Sequence, residues 1–294
     1  MPGKMEMRPL SRGVIRTQYT ACLEAKYLNY YPSEVVSVRL PQYPKIPLEV
    51  RYCPALAEKH KTDHQTLPND GTSSKPNPFL PFDRRLFLGD LHPSREYALL
   101  FNKFCVIPEH LLVITKEYVK QEAPLHGADF EAVGEVLLAY DGEREPPSSL
   151  LAFYNSSPVA GASQHHRHFQ VVELSSLPIE AAIDGCEIEP GKPFILPIYA
   201  SFLHLCVKMD LAKHTAWDYY QLLTNAIKPG LLQAFNLLWN RHWMLLVPRR
   251  RDHPDKSMNS LVFAGLFLVL ERASLQTYDP LGSLQSVTYP AGGP

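Results

Sequence analysis

The sequence has almost no net charge and lacks a long hydrophobic segment. Among its 294 residues, 29 are basic and 30 are acidic, which gives a formal net charge of −1. This balance argues against general electrostatic binding to nucleic acid, although the run at 249–251 is locally basic. The apolar segment at 261–270 is about half as long as the roughly 20 residues that a membrane-spanning helix needs. We therefore expect that the protein neither binds nucleic acid nor associates with a membrane.

Cysteine is also scarce, and its five positions lie far apart along the chain. No CxxC pair is present and the number is odd, which favours free thiols in a reducing compartment over a disulfide framework. Residues 1–16 carry basic side chains but no apolar stretch of the kind found in secretory signals. Glu6 and two nearby prolines weaken the pattern of a mitochondrial transit peptide. These features predict a cytoplasmic location and leave a nuclear one open.

Proline, in contrast, is abundant, with 27 residues spread along the chain rather than gathered in one tract. This is about twice the average share, and it is typical either of disorder or of many short strands joined by rigid turns. Apolar runs of strand length lie between the prolines, which favours the second interpretation. The predicted strands are Tyr97–Phe101, Leu111–Thr115, Leu150–Tyr154, Phe169–Leu174, Phe202–Lys208 and Trp243–Val247.

Helical spacing of apolar residues is found in fewer places. The predicted helices are Asp129–Tyr140, Trp217–Ile227 and Ser260–Gln276, the last with Asn259 or Ser257 as its N-cap. Residues 59–77 are polar and contain several turn formers, so they predict a surface loop. Strands and helices do not alternate regularly along the chain. The predicted fold class is therefore α+β, with a mainly antiparallel sheet flanked by helices.

The segment Gly161–Gln170, GASQHHRHFQ, departs from ordinary composition because three of the twelve histidines fall within four positions. The two valines that follow it indicate that its second half is extended. Since side chains alternate between the two faces of a strand, we expect His166, His168 and Gln170 to share one face. The small residues at 161–163 would let phosphate oxygens approach backbone N–H groups.

Three interpretations of this histidine cluster stay open on residue chemistry alone. It can be a solvated or packing cluster without a chemical role. It can bind a metal ion, but a zinc site needs a third or fourth ligand, and no other His, Cys, Asp or Glu cluster has convincing metal spacing. It can also act in nucleophilic catalysis, because an imidazole that is neutral near pH 7 can attack phosphorus and form a labile phosphoramidate.

The same segment resembles the HxHxQ signature of the transferase branch of the histidine-triad superfamily. Its GASQ lead-in resembles that of the ATP adenylyltransferases, also called diadenosine tetraphosphate phosphorylases. Further similar segments are Glu49–Lys59, Asn102–Val113, Phe153–Asn155, Trp243–Arg249 and Asn259–Gly265. The resemblance implies a histidine-triad-like fold in two parts that pack as one unit. These are an N-terminal catalytic part, residues 1–185, and a C-terminal part, residues 186–294.

The family resemblance also implies a reaction, the reversible phosphorolysis of diadenosine tetraphosphate to ATP and ADP. His168 would attack the α-phosphorus and hold AMP covalently, with His166 fixing its orientation. Gln170 would hydrogen-bond a phosphoryl oxygen, and an amide cannot activate water as a third histidine would. The residues implied in substrate binding are Lys59, Asn102, Lys103, Asn155, Gly161, Ala162, Ser163, Gln164, Asn259, Ser260 and Leu261.

The implied chemistry needs no cofactor and no metal ligand from the protein, while a divalent cation can accompany the nucleotide. Expected partners are diadenosine polyphosphates, ATP, ADP and inorganic phosphate, and a monomer is expected. One position departs from the family pattern, because Leu270 stands where a lysine is usual. Arg272 or the run at 249–251 would then supply the charge, or the site would take a different polyphosphate. Two other functions stay open: a hexose-1-phosphate uridylyltransferase, and a nucleotide- or metal-binding module without catalysis.

Overall fold

The computed structural model describes residues 10–55, 77–91, 93–141, 149–250, 258–269 and 271–293. The helices are α1 (Arg12–Glu24), α2 (Gly127–Asp141), α3 (Pro178–Asp184), α4 (Ala216–Asn225), α5 (Ser274–Thr277) and α6 (Pro280–Val287). The strands are β1 (Asn29–Tyr30), β2 (Glu34–Leu40), β3 (Tyr43–Tyr52), β4 (Phe87–Leu91), β5 (Tyr97–Phe101), β6 (Phe104–Cys105), β7 (Leu111–Thr115), β8 (Ser149–Asn155), β9 (His168–Leu174), β10 (Leu205–Lys208), β11 (Phe235–Trp239), β12 (Trp243–Pro248) and β13 (Leu266–Val269). Short 3-10 helices lie at Arg84–Leu86, Pro158–Ala160, Pro197–Tyr199 and Ser260–Ala264.

An antiparallel sheet with the strand order β10-β12-β11-β8-β9-β7-β5-β4 forms the centre of the fold. Its first three strands come from the C-terminal half of the sequence, and β11 pairs with β8, so both halves share one sheet. In a second sheet, β13 pairs in parallel with β3, and β3 pairs with β2. The predicted α+β class with a mainly antiparallel sheet is confirmed.

Both faces of the large sheet are buried, which explains why its strands are continuous apolar runs. On one face, Phe169 and Val171 of β9 share a hydrophobic cluster with α1, α2 and α4. On the other face, Val172 and Leu174 share a cluster with β3, β13 and α3. Helices and the second sheet therefore cover the central strands from both sides, and water is excluded between them.

Most of the predicted elements are confirmed, and one helix is wrong. Each predicted strand is present, but the one expected over Phe202–Lys208 forms only at Leu205–Lys208. The first two predicted helices are α2 and α4. Over Ser260–Gln276, however, Asn259 caps only a 3-10 helix, Gly265 follows with φ of 89°, and β13 comes next. The apolar run there pairs with β3, a partner more than 200 residues away along the chain, which no local pattern could indicate.

Other expectations have simpler outcomes. All five cysteines are free, as predicted. The loop predicted over 59–77 lies outside the described residues except for Asn77. No helix within the described ranges is both long enough and apolar enough to cross a membrane. The helix α1, the β2–β3 hairpin and β11 were not predicted from the sequence.

A buried ion pair ties β9 to α2. Arg167 Nη1 lies 3.1 Å from Asp129 Oδ2, and the two side chains are 3% and 0% exposed. Arg167 Nη2 donates to two backbone carbonyls in the segment before α2, and Asp129 accepts from the hydroxyl of Tyr97. Because Arg167 stands between His166 and His168, this pair turns the neighbouring histidines towards the opposite face of the strand.

We expect the variant Asp129→Ala to lower the free energy of unfolding by about 3–5 kcal/mol, because the Arg167 guanidinium would stay buried without its counter-charge. Urea unfolding followed by circular dichroism measures this loss. The exposed pair Lys192–Glu189, with side chains 69% and 78% exposed, provides the control. Lys192→Ala should change stability by less than about 1 kcal/mol. Similar losses in the two variants would contradict the prediction.

Candidate active site

The histidine segment lies in the middle of the large sheet, where β9 runs between β7 and β8. His168 is opposite Ile114 of β7, and Gln170 is opposite Phe153 of β8. The ring of Phe79 lies 5.6 Å from the ring of His166 and 5.5 Å from that of His168, which shows that the two histidines share one face. The predicted alternation along this segment is therefore present.

His168 is held by one of its two ring nitrogens. Nδ1 lies 2.8 Å from the backbone oxygen of His166, so Nδ1 carries the proton and donates it to this carbonyl. The lone pair of the ring is then on Nε2. Burial, partly under Phe79, lowers the pKa of His168 to about 4, so the imidazole is neutral at pH 7. This is the protonation state that nucleophilic attack requires.

His166 is fixed at both ring nitrogens. Nε2 lies 2.8 Å from the carbonyl oxygen of Thr115 and 3.1 Å from that of Glu117, and donates its proton there. Nδ1 accepts from the side-chain amide of Asn77 at 3.0 Å. Burial also lowers the pKa of His166. The His166 ring is thus locked in one tautomer, and it is the backbone carbonyl of this residue that contacts His168.

Gln170 is oriented by a chain of directed hydrogen bonds. The Phe104 N–H donates to Asn102 Oδ1, and Asn102 Nδ2 lies 3.3 Å from His110 Nδ1. His110 Nε2 lies 3.0 Å from Gln170 Oε1. Because Asn102 Nδ2 can only donate, His110 carries its proton on Nε2 and gives it to Gln170 Oε1. Burial lowers the pKa of His110 to about 4, so this neutral tautomer persists at pH 7. The Gln170 NH₂ group is left to donate elsewhere.

Asn155, at the end of β8, is anchored by the C-terminal half of the chain. Its Oδ1 accepts from Ser260 N at 2.8 Å, from Ser260 Oγ at 2.7 Å and from Asn236 Nδ2 at 2.9 Å. Asn236 in turn accepts from the buried guanidinium of Arg249 at 2.8 Å. The acceptor side of the Asn155 amide is therefore occupied, and its NH₂ group is the side that can contact a ligand.

Gly161 brings the two halves of the chain into direct contact. It has φ of 91°, and a Cβ built there would lie 2.6 Å from Met258 O and 2.8 Å from Asn259 Cα. Only glycine fits this approach. Its N–H and that of Ala162 already donate to carbonyls of the preceding turn. Of the expected loop donors, those of Ser163 and Gln164 are then the ones open to a phosphate.

The remaining sequence-predicted residues are less closely joined to this group. Asn259 accepts from Leu261 N at 2.9 Å and so caps the 3-10 helix that carries Ser260. Lys103 is exposed, with Nζ 5.9 Å from the ring centre of Phe104. Lys59 and Leu270 lie outside the described residues.

The candidates for the missing family lysine, Arg272 and the run at 249–251, are placed differently, and Arg251 lies outside the described residues. Arg272 is exposed and lies 3.2 Å from Glu34 of β2, which already neutralises it. Arg249 is 1% exposed and lies behind Asn236 and Met258, close to the anchor of Asn155. Among the described residues, Arg249 is thus a cation that the structure brings close to this site.

Four of the residues described so far were missed in the sequence. Asn77 ends the polar segment predicted as a loop and Phe79 follows it, and neither carries a motif, so no local signal marked them. His110 directly precedes the apolar strand β7, and a polar side chain at the start of such a strand can indicate a functional residue. Asn236 lies within the apolar strand β11, where a lone buried amide likewise indicates a partner. Among the described residues, no group of three or more His, Cys, Asp or Glu side chains could hold a metal ion.

Two family models match the chain. The Ap4A phosphorylase N-terminal domain matches residues 13–185, which is more than half of the chain, and the ATP adenylyltransferase C-terminal domain matches residues 195–290. Protein APA1 of Saccharomyces cerevisiae is 27% identical over 282 residues, covering 87% of this chain and 85% of that protein. Diadenosine 5',5'''-P1,P4-tetraphosphate phosphorylase 2 of the same yeast is 28% identical over 267 residues, covering 79% of each.

A solved structure has the same fold. The crystal structure of yeast Ap4A phosphorylase Apa2 in complex with Ap4A matches with a TM-score of 0.79 at 24% identity, covering 97% of this chain and 99% of that one. The similarity thus extends over nearly all of both chains. From the family models, which together run from residue 13 to residue 290, it follows that this chain belongs to the Ap4A phosphorylase family.

Proposed function

We propose that this chain phosphorolyses diadenosine tetraphosphate (Ap4A) to ATP and ADP, reversibly, through AMP bound covalently to His168. The observation that carries the proposal is the state of the His168 ring. It is neutral and buried, with Nδ1 bound to a carbonyl and the lone pair on Nε2. Family membership and the names of the yeast relatives support Ap4A as the substrate.

In the first step, the Nε2 lone pair of His168 attacks the α-phosphorus of one adenosine. The bond between this phosphorus and its bridging oxygen breaks, and ATP leaves with the bonding electrons. The imidazole then carries a positive charge. Its Nδ1–H still donates to the His166 carbonyl, which stabilises that charge without removing the proton.

In the second step, an oxygen of inorganic phosphate attacks the same phosphorus. The P–N bond breaks, ADP leaves, and the neutral His168 ring is restored. Gln170, with Oε1 bound to His110, would donate from its NH₂ group to a phosphoryl oxygen in both steps. An amide cannot take a proton from an attacking water as an imidazole can, so phosphate, which is already an anion at pH 7, is the favoured acceptor.

The polyphosphate would be held by donors rather than by a metal of the protein. We assign the NH₂ group of Asn155, the N–H groups of Ser163 and Gln164, and the nearby charge of Arg249 to this task. A divalent cation would arrive with the nucleotide, and no cofactor takes part. That the protein is monomeric, cytoplasmic and without nucleic acid or membrane partners stays a prediction.

Phosphate dependence tests the reaction itself. With Ap4A and inorganic phosphate, we expect ATP and ADP in equal amounts, and without phosphate we expect at most one ATP per enzyme, since the adduct then has no acceptor. Product separation by chromatography measures both. Continuous formation of ATP and AMP without phosphate would show a hydrolase instead and overturn the proposal.

The adduct tests the nucleophile. With Ap4A radiolabelled in its adenosines, we expect acid-labile label on the protein, and none on His168→Ala, which should lose phosphorolysis by about 10⁴-fold or more. His165→Ala is the matched control, because this neighbouring histidine is exposed and lies outside the group described above. If His168→Ala accumulates the adduct as the control does, the nucleophile is assigned wrongly.

The pH dependence of adduct formation tests the role of burial. With the pKa of His168 lowered to about 4, the single-turnover rate should be constant between about pH 8 and 6 and fall only as pH approaches that value. Phe79→Ala lets water reach the ring, so the midpoint should move up towards the ordinary value of about 6.5. Phe79→Leu keeps the ring dry and serves as the control.

Circular dichroism must accompany this titration. The buried neutral histidines have pKa values below those of the unfolded chain, so their contribution to stability is present above about pH 6.5 and declines as pH falls towards 4. A wild-type midpoint near 6.5 in folded protein, or no shift in Phe79→Ala, would contradict the prediction.

A further inference from the structure

The pairing of β8 with β9 stops just before the catalytic group. The two strands pair from Ser149 and Leu174 as far as Phe153 and Gln170. Continued by two residues in the same register, the ladder would place Asn155 directly opposite His168. Asn155 and His168 belong to the strands but form no such pair. Their backbone groups must therefore find other partners, because both residues are buried.

The side-chain amide of Gln121 occupies the gap. The N–H of His168 donates to Gln121 Oε1 at 2.9 Å. Gln121 Nε2 donates to the carbonyl oxygen of Asn155 at 2.7 Å and lies 3.3 Å from that of His168. One carboxamide thus takes the place of a direct hydrogen bond between the two strands. Through this carboxamide, the N–H of His168 and the carbonyl oxygens of Asn155 and His168 have partners without a direct hydrogen bond between the strands.

Gln121 itself is rigidly placed. Its side chain is almost fully buried, with the residue 2% exposed. Its backbone N–H donates to the carbonyl of His165 at 2.8 Å, and its carbonyl accepts from the hydroxyl of Tyr154. Tyr154 lies on β8, and His165 lies three residues before the start of β9. The amide therefore cannot shift without moving one of the two strand ends.

We propose that Gln121 is a positioning residue, which sets the distance between the nucleophile His168 and the nucleotide-contacting Asn155 by bridging their backbones. This inference rests on the proposed function of the site. A glutamine suits the task because its amide offers one acceptor and two donors in a plane, as a peptide group offers one of each. Leucine and methionine offer no donor, and asparagine is shorter by one methylene.

The consequence for the reaction is geometric. Attack on phosphorus needs the Nε2 atom of His168 and the bound phosphoryl group in line, and displacement of about 1 Å can cost about 100-fold in rate. Asn155 is fixed from the other side by Ser260 and Asn236. The bridge through Gln121 is thus the link that connects the anchored nucleotide contact to the nucleophile.

The decisive variant is Gln121→Met, which keeps the length of the side chain and removes its donors. We expect the single-turnover rate of His168 adenylylation at saturating Ap4A to fall by about 100-fold, with a much smaller change in the concentration needed for saturation. His204→Leu is the matched control for stability, because it removes another buried hydrogen bond, from Leu196 N to His204 Nε2 at 2.8 Å, and the ring otherwise contacts Tyr199 and Phe202.

A second variant, Gln121→Glu, separates positioning from a general loss of stability. A protonated carboxyl group has one acceptor and one donor oxygen and can replace the amide, whereas a carboxylate has no donor for the Asn155 carbonyl. A buried carboxyl group also stays protonated to a higher pH than an exposed one. We therefore expect the adenylylation rate of Gln121→Glu to rise towards that of wild type as pH falls from about 8 to 6, while the wild-type rate stays constant.

The outcomes are distinct. If wild type forms no adduct at all, the proposed function fails and the positioning role falls with it. If wild type forms the adduct but Gln121→Met is slowed no more than His204→Leu at equal folded fraction, the reaction stands and the positioning role is overturned. A Gln121→Glu rate that does not vary with pH would also overturn it.

Discussion

A sheet that is buried on both faces leaves no water for the polar groups at its centre, and this constraint governs the site. Helices cover one face of β9 and the second sheet covers the other, so each imidazole, amide and guanidinium there needs a partner from the protein. The partners are arranged so that donors and acceptors match along fixed directions. The same burial that excludes water lowers the pKa of His168, so the neutral state of this ring follows from the packing of the sheet.

The hydrogen bonds of the site divide into an orienting set and a set that faces the substrate. Carbonyls of the main chain hold His166 and His168, His110 holds Gln170, and Ser260 with Asn236 holds Asn155. For His168, Gln170 and Asn155, one side of the ring or amide is bound to the protein and the other is left for a ligand, whereas both ring nitrogens of His166 are bound to the protein. The anchors come from both halves of the chain, so neither half contains a complete site.

A structural element could be predicted from the sequence where residues close together in the chain determine it. The strands Tyr97–Phe101 and Leu111–Thr115 were predicted within their true bounds because short apolar runs between turn formers have few other interpretations. The face shared by His166 and His168 followed from alternation alone. The prediction of a helix over Ser260–Gln276 was wrong. Part of this segment forms a strand because it pairs with β3, which is remote in the sequence.

The contacts of the site were likewise not predictable where they join residues remote in the sequence. Gln121, Asn77 and Phe79 lie in segments without periodicity, and their importance arises only when the fold brings them beside the histidines. Asn155 and Ser260 were identified through family resemblance, yet their mutual hydrogen bonds could not be. Sequence patterns therefore marked the histidine cluster, and the structure was needed to find what holds it in place.

The pairing of β8 with β11 has a consequence for the architecture of the family. The boundary between the two family domains falls between residues 185 and 195, but the seam between them runs through the centre of one sheet, along four backbone pairs. An N-terminal domain on its own would expose the apolar strand β8 as an open edge, a surface prone to pairing with other chains. In this protein the two domains thus share one sheet, and the C-terminal domain covers an edge that the N-terminal domain would otherwise expose.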